Sequence, residues 1–423
     1  MSKLSNKSSS GNRSIGGFAA LRAVRYRNFW LGSLASISGV QLMIISQGWL
    51  VFELTGSPLD LGFLGAATAV PTILVTLFGG VLADRLDKRK ILIATSTLTA
   101  ILLLLLTVLD YTGTVQVAHV LIIAGLIGVV TGLDLPTRQA IFPSLIDRAQ
   151  MMSAVALNSI LWQSTRMVIP ALGGILIAIS DTAVAFLIAT LGSICMVLVL
   201  LPMRPDSETR SQGRSLDQLF EGFRFIINNR LFAVLILLTW ASMFFAISFI
   251  QIMPAIADIL GVAEKGFGFL ISAFGVGSVV GTLTIGAYQH TRMVGMIMVG
   301  GVIASSASLL GFAAVTHWHA VIGGAFYWAL LFALLAGIFH SFFLISSMTV
   351  LQLLVPQELR GRVMGIHGIT FSLIPLGGLF VGSLALVTSI SVAVGIGALI
   401  ALYAGIWVAV SEPEVRRFDA TQF

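Results

Sequence analysis

The sequence predicts an all-α membrane protein of twelve transmembrane helices in two six-helix bundles. Three observations predict it. First, the 423 residues are 57% hydrophobic and 10% charged, with a mean hydropathy of +1.00. A water-soluble domain of this size cannot sustain that balance, because its surface must be polar. Second, the apolar residues gather in runs long enough to cross about 30 Å of hydrocarbon. Third, the basic residues stand between those runs on one side only. The single cysteine, Cys195, rules out a disulfide framework. A net charge of +6 confined to loops gives no nucleic-acid surface.

In chain order, 1–28 is polar, basic and Ser/Gly-rich, with no apolar segment ending in a small-residue cleavage site. It reads as a cytoplasmic N-terminal tail. Spans 1–6 are expected at 29–53, 58–83, 90–110, 117–138, 151–180 and 182–203, forming a first bundle over 29–203. Spans 7–12 are expected at 231–257, 266–289, 293–315, 319–353, 363–388 and 390–410, forming a second bundle over 231–410. A tail, 411–423, follows. The long runs 151–180 and 319–353 exceed one crossing and are expected to bend or to extend past the membrane. If twelve crossings alternate, every Lys and Arg except Lys265 and Arg166 lies on the side of the termini. Cation excess marks that side as cytoplasmic.

The loop 204–230 divides the chain. Within it Leu216, Leu219, Phe220, Phe223, Ile226 and Ile227 recur at helical spacing opposite Asp217, Glu221 and Arg224. Such a helix lies on the membrane surface or on the protein's own cytoplasmic face. The bundles echo each other. Gln139 to Pro143 ends span 4 as Gln352 to Pro356 ends span 10, and Pro170 to Gly174 in span 5 matches Pro375 to Gly378 in span 11. Two parallel halves with a site between them are the layout of a rocking transporter.

The hairpin between spans 2 and 3 is the most specific stretch. Gly79 and Gly80 allow close helix approach, Asp84 sits at the membrane edge, and Arg85, Lys88, Arg89 and Lys90 fill the short turn. It resembles the loop between helices 2 and 3 of the major facilitator superfamily. Gly80, Asp84, Arg85, Lys88, Arg89 and Lys90 match that pattern, and Asp87 stands where the family has a second glycine. The resemblance implies the major facilitator fold, a cavity lined by spans 1, 4, 7 and 10, and a monomer without cofactor or catalytic residue. Pro170, Gly173 and Gly174 resemble the helix-packing motif that the family's exporters carry in span 5, with Ile169 in place of its first glycine.

Ionisable groups in hydrocarbon are costly and so are candidate functional residues. Arg166 lies roughly 22 Å along span 5, near the midplane, and Asn158 and Gln163 share its helix. It is expected to hold an anionic group of a substrate or to set the charge of a nearby acid. Gln41, Gln251 and His340 are polar groups inside spans 1, 7 and 10. Asp134 is a further candidate for substrate or proton coupling. Asp134 and Arg138 share one helix face at i, i+4 spacing. Depth and charge sign suggest a gating latch of Asp84, Arg85, Asp134, Arg138, Arg360 and Arg362 at the cytoplasmic edge. Trp162, Trp240, Phe244, Phe245 and Phe249 offer an apolar wall. No metal constellation and no phosphate loop stand out.

The stretches 49–58, 134–143, 261–268 and 356–365 are similar to the bacterial facilitators that include enterobactin exporters and macrolide or multidrug efflux proteins. That similarity, from about Leu21 to Val410, implies an inner-membrane, multi-pass secondary transporter. Its expected partners are an amphipathic small molecule, protons and the lipid bilayer. The leading expectation is proton-coupled export by alternating access. A lysophospholipid flippase or an importer of the same fold, and a non-transporting sensor or scaffold, are the alternatives.

Overall fold

The computed structural model describes residues 19–85, 87–147, 150–203, 216–286 and 293–419, with the backbone alone at 77–85, 143, 216–220, 358 and 360–362. Twelve helical segments among them are long and apolar enough to cross a membrane. The first six are α1 (Val24–Thr55), α2 (Pro58–Arg85), α3 (Lys88–Tyr111), α4 (Val117–Ile141), α5 (Met151–Ile179) and α6 (Thr182–Leu200). The helix α7 (Leu216–Asn228) follows. Span 7 is broken into α8 (Arg230–Ala241), a π turn, a 3-10 turn and α9 (Met253–Ile259). Then come α10 (Ala263–Gly286), α11 (Val294–His317) and α12 (Ala325–Leu354). Span 11 joins α13 (Gln357–Gly368) to α14 (Leu373–Val387) through the turn Ile369–Ser372, and α15 (Ile390–Ser411) and α16 (Pro413–Arg416) end the chain.

Local chemistry sets several boundaries. Asp87 caps α3, its carboxylate accepting from the backbone N–H of Arg89 at 2.9 Å and of Lys90 at 3.2 Å. An acid here satisfies orphan donors at a helix start. That accounts for Asp87 where the resembled family has glycine. Arg89 in turn donates to the carbonyls of Leu200, at 2.8 Å, and Leu201, closing the end of α6. Gly56 ends α1 at φ 61°, where a side chain would be strained. The expected start of span 10 at 319 falls instead in a turn that ends at Gly324, φ 69°, just before α12.

Both expected tails are built partly into the bundle. A 3-10 turn at Ala19–Arg22 precedes α1, whose Tyr26 and Trp30 donate to the carbonyls of Ala154 and Leu157 at 3.0 and 3.1 Å. Span 1 therefore begins before residue 29, because these amphipathic rings have polar partners at its end. At the other terminus Glu412 pairs with Arg230 at 2.7 Å, and Val415 is buried. The helix α7 is packed on one side, with Ile226 buried and the Phe225 ring 5.0 Å from Phe232 of α8. Phe223 and Ile227 remain exposed on its other side.

Spans 1–6 and 7–12 form two halves that meet along two seams, α2 on α14 and α5 on α10. Both seams are backbone contacts made possible by glycine. A Cβ on Gly65 would stand 2.2 Å from the Pro375 carbonyl oxygen, and one on Gly174 would stand 2.5 Å from that of Glu264. Close approach of this kind replaces the hydrophobic driving force that lipid removes.

The cores divide unevenly. One cluster, at the end distal to the termini, joins both halves and includes Trp49, Leu61, Phe186, Phe249, Phe267 and Phe312. At the terminal end each half has its own cluster, with Leu92, Leu157 and Met196 in the first and Leu235, Met298 and Val363 in the second. Among the described residues the buried cluster shared by the halves is thus the distal one, and the clusters at the terminal end each lie within one half. Trp49 of α1 stacks on Phe267 of α10 within the distal seal, ring centroids 5.7 Å apart.

Candidate functional site

The space between the two seams contains Arg166. Its guanidinium carbon lies 5.8 Å from the ring centre of Trp162, one turn earlier on α5, and 5.6 Å from that of Phe371. Phe371 belongs to the turn that breaks span 11. Because α5 packs on α10, and α14 on α2, the Arg166–Phe371 contact bridges the two halves across their interior. The side chains of Arg166 and Phe371 are exposed to that interior space and Trp162 is half-buried.

Energetics define what this arrangement lacks. A charged side chain at mid-span costs about 3 kcal/mol or more. A cation–π contact reached by water returns about 0.5–1 kcal/mol. Among the described residues Arg166 has no carboxylate within ion-pair distance and donates no hydrogen bond. The two rings hold the guanidinium in place without neutralising it. Five N–H donors therefore face the interior, in a geometry suited to a carboxylate or another planar anion.

The other polar groups of α5 differ. Gln163 donates from Nε2 to the Thr282 hydroxyl at 3.3 Å, bridging α5 to α10 just below Arg166. Asn158 is half-buried nearer the terminal end, and Gln41 is half-buried on α1. Two expected cavity residues are packed away from the space around Arg166, one in a seam and one inside the second half. Gln251 donates to the Leu61 carbonyl at 3.5 Å and lies against Gly65 and Gly378. His340 is 5% exposed and lies between the rings of Phe274 and Phe343, within the second half. Of the proposed apolar wall, Phe249 is buried against Phe274 and Phe312 and belongs to the core. Phe244 and Phe245 meet Phe380 on α14.

Asp134 and Arg138 form a buried pair at the terminal end of α4. Arg138 Nε donates to Asp134 Oδ2 at 2.9 Å and its Nη2 to Oδ1 at 3.3 Å. The Thr95 hydroxyl donates to Asp134 at 2.9 Å, and Arg138 donates to Ser33 at 3.2 Å. The side chains are 10% and 19% exposed for Arg138 and Asp134. Such a pair is tolerated only when its remaining donors and acceptors are satisfied, as here. Its partners all lie in spans 1, 3 and 4, so the described part of the expected latch closes within the first half. The side chains of Asp84, Arg85, Arg360 and Arg362, and the surroundings of Gly80, lie outside the described residues. Pro170, Gly173 and Gly174 all lie on α5, with Gly174 in the α5–α10 seam and Gly173 against Leu42 of α1.

Phe371 and Thr282 escape a reading that weighs ionisable residues first. The signal for Phe371 is positional. It precedes Pro375 by the four residues that separate Arg166 from Pro170.

A profile of the transmembrane secretion effector group of the major facilitator superfamily matches residues 15–422. The staphyloferrin A transporter of Staphylococcus aureus is 25% identical over 358 residues, which are 83% of this chain and 87% of the relative. The enterobactin exporter EntS of Shigella boydii is 24% identical over 408 residues, 94% of each chain. Among solved structures, the nucleoside transporter NupG superposes with a TM-score of 0.73 at 14% identity, covering 92% of this chain and 99% of the other.

Proposed function

Since this chain belongs to the transmembrane secretion effector family of the major facilitator superfamily, and is a membrane transporter on that ground, we propose that it exports an amphipathic organic compound bearing an anionic group. One observation carries this reading. Arg166 faces the space between the halves with two aromatic faces beside it and no counter-ion among the described residues. An anion supplied by the substrate satisfies the guanidinium, while Trp162 and Phe371 cover its apolar part. Two relatives named for siderophores, staphyloferrin A and enterobactin, support an iron-chelating or drug-like compound of this kind.

The halves work by alternating access. The opening lies at the terminal end, where no buried cluster of the described residues joins the halves, and the gathered basic residues orient that end toward the cytoplasm. Substrate enters there and reaches Arg166. The halves then rock about the seams, parting Trp49 from Phe267 and closing the terminal end through the latch of Asp84, Arg85, Asp134, Arg138, Arg360 and Arg362. The proton gradient drives the cycle in a single chain of the bacterial inner membrane.

Inverted membrane vesicles supplied from outside with candidate siderophores and drugs test this directly. Uptake that requires an imposed proton gradient and disappears in Arg166→Ala is expected. Equal uptake by Arg166→Ala removes the binding role. Uptake indifferent to the gradient removes the coupling.

A further inference from the structure

A cavity of about 470 Å³ opens on the outside of the first half, between α5 and α6, with α1 as its floor. Ser38 and Cys195 are its only side chains that are not Ala, Gly, Leu or Ile. We propose that this slot holds the acyl chain of a membrane lipid.

The slot has a clear origin. A Cβ on Gly192 would stand 2.5 Å from the Ala35 carbonyl oxygen, and one on Gly39 would stand 2.9 Å from that of Ala189. These glycines bring α1 and α6 into backbone contact. At the same depth α5 is drawn the other way, toward α10, where Gly174 abuts Gly268. The space left between α5 and α6 has no side chain to fill it, because its α5 wall includes Gly173.

Position and shape select the occupant. Each wall is a stretch within a membrane span, 35–42, 169–176 or 188–195, the α5 stretch toward its distal end. Each stretch rises about 10 Å along its helix. Water lacks the two to four polar partners it needs in such a lining. Left empty, the walls forfeit their dispersion contacts. Leu172, Ile188 and Leu191 at the rim are exposed and continue the apolar outer surface of Leu187, Ile194 and Leu198. At this depth that surface is bathed in acyl chains, and one of them enters through the open rim. The chain then lies against Ile169, on the helix that carries Arg166. The occupant of the slot does not depend on which compound is transported.

The test uses the full-length protein in nanodiscs of phosphatidylethanolamine with a diazirine in mid-chain, its photoadducts mapped by mass spectrometry. Adducts are expected on the slot floor, at Gly39 and Leu42. Leu42 is 6% exposed and lines the slot. Cys195→Phe and Ser38→Phe each fill the space and are expected to cut floor adducts at least fivefold. Adducts on the outer face of α3, at Leu98, Ile101 and Leu105, are expected to stay unchanged. A floor that is unlabelled while α3 is labelled overturns the proposal. So does floor labelling that survives both variants, or crosslinked dimers through α5 and α6 in place of lipid adducts.

Discussion

The side chains of Arg166 in span 5 and Phe371 in span 11 meet across the space between the two halves. Each stands four residues before a proline, Pro170 and Pro375, that is followed by a glycine pair at a spacing differing by one residue. The guanidinium lies 5.6 Å from the phenyl ring. A cation with no counter-ion among the described residues in one half thus stands opposite an aromatic face in the other. The first prediction is that the two residues fail differently. Arg166→Ala is expected to lower substrate affinity at least tenfold, the loss of one charge-assisted interaction of about 1.5–3 kcal/mol. Its melting temperature in detergent should hold or rise, because a charge leaves the membrane interior. Phe371→Ala should weaken affinity by less, about twofold to tenfold, and Phe371→Trp should retain it. Binding titrations with paired melting curves check this.

The Asp134–Arg138 pair is expected to show strong coupling. Removing one partner leaves the other charge buried, which costs about 3 kcal/mol with a little discount for its partial exposure. Arg138→Gln or Asp134→Asn alone should therefore lower the melting temperature more than the two changes together. If the singles and the double fall on an additive line, the pair carries no coupling energy.

The α5–α10 seam tolerates no added side chain at Gly174. Gly174→Leu is expected to destabilise the protein by about 1–3 kcal/mol through overpacking, because a Cβ there would stand 2.5 Å from the Glu264 oxygen. Gly300→Ala on α11, where a Cβ meets nothing within 4 Å, is the control and should leave the melting temperature unchanged. Equal effects at the two sites would mean that the seam is not held by backbone contact.

Asp87 is expected to behave as a helix cap. Asp87→Ala should cost about 1 kcal/mol and Asp87→Gly only a few tenths. The change to glycine restores the residue that the resembled family has there, so the glycine variant should be the more stable of the two. Melting curves in detergent rank them. A more stable alanine variant would show that capping is not what Asp87 contributes.

The number of spans, the side on which the cations gather, and the i, i+4 pairing of Asp134 with Arg138 were legible in the residues. Each depends on properties local to the chain: hydropathy over about 20 residues, charge between apolar runs, and helical spacing. The candidacy of Arg166 was legible for the same reason, since a cation in an apolar run is conspicuous wherever its helix packs. Its neighbours were not. Phe371 is one of 27 phenylalanines, and only the meeting of spans 5 and 11 singles it out.

Tertiary structure alone decided that Gln251 packs in a seam and His340 inside the second half, while Gln163 reaches Thr282. It also decided that α5 leans from α6 toward α10, which opens the lipid-facing slot. The physical reason is the solvent. Hydrocarbon sorts residues by polarity along each helix, so composition reveals which segments cross. It does not distinguish one apolar helix face from another, so glycine contacts between residues some 90 to 310 positions apart, from Gly174–Gly268 to Gly65–Pro375, choose which helices touch.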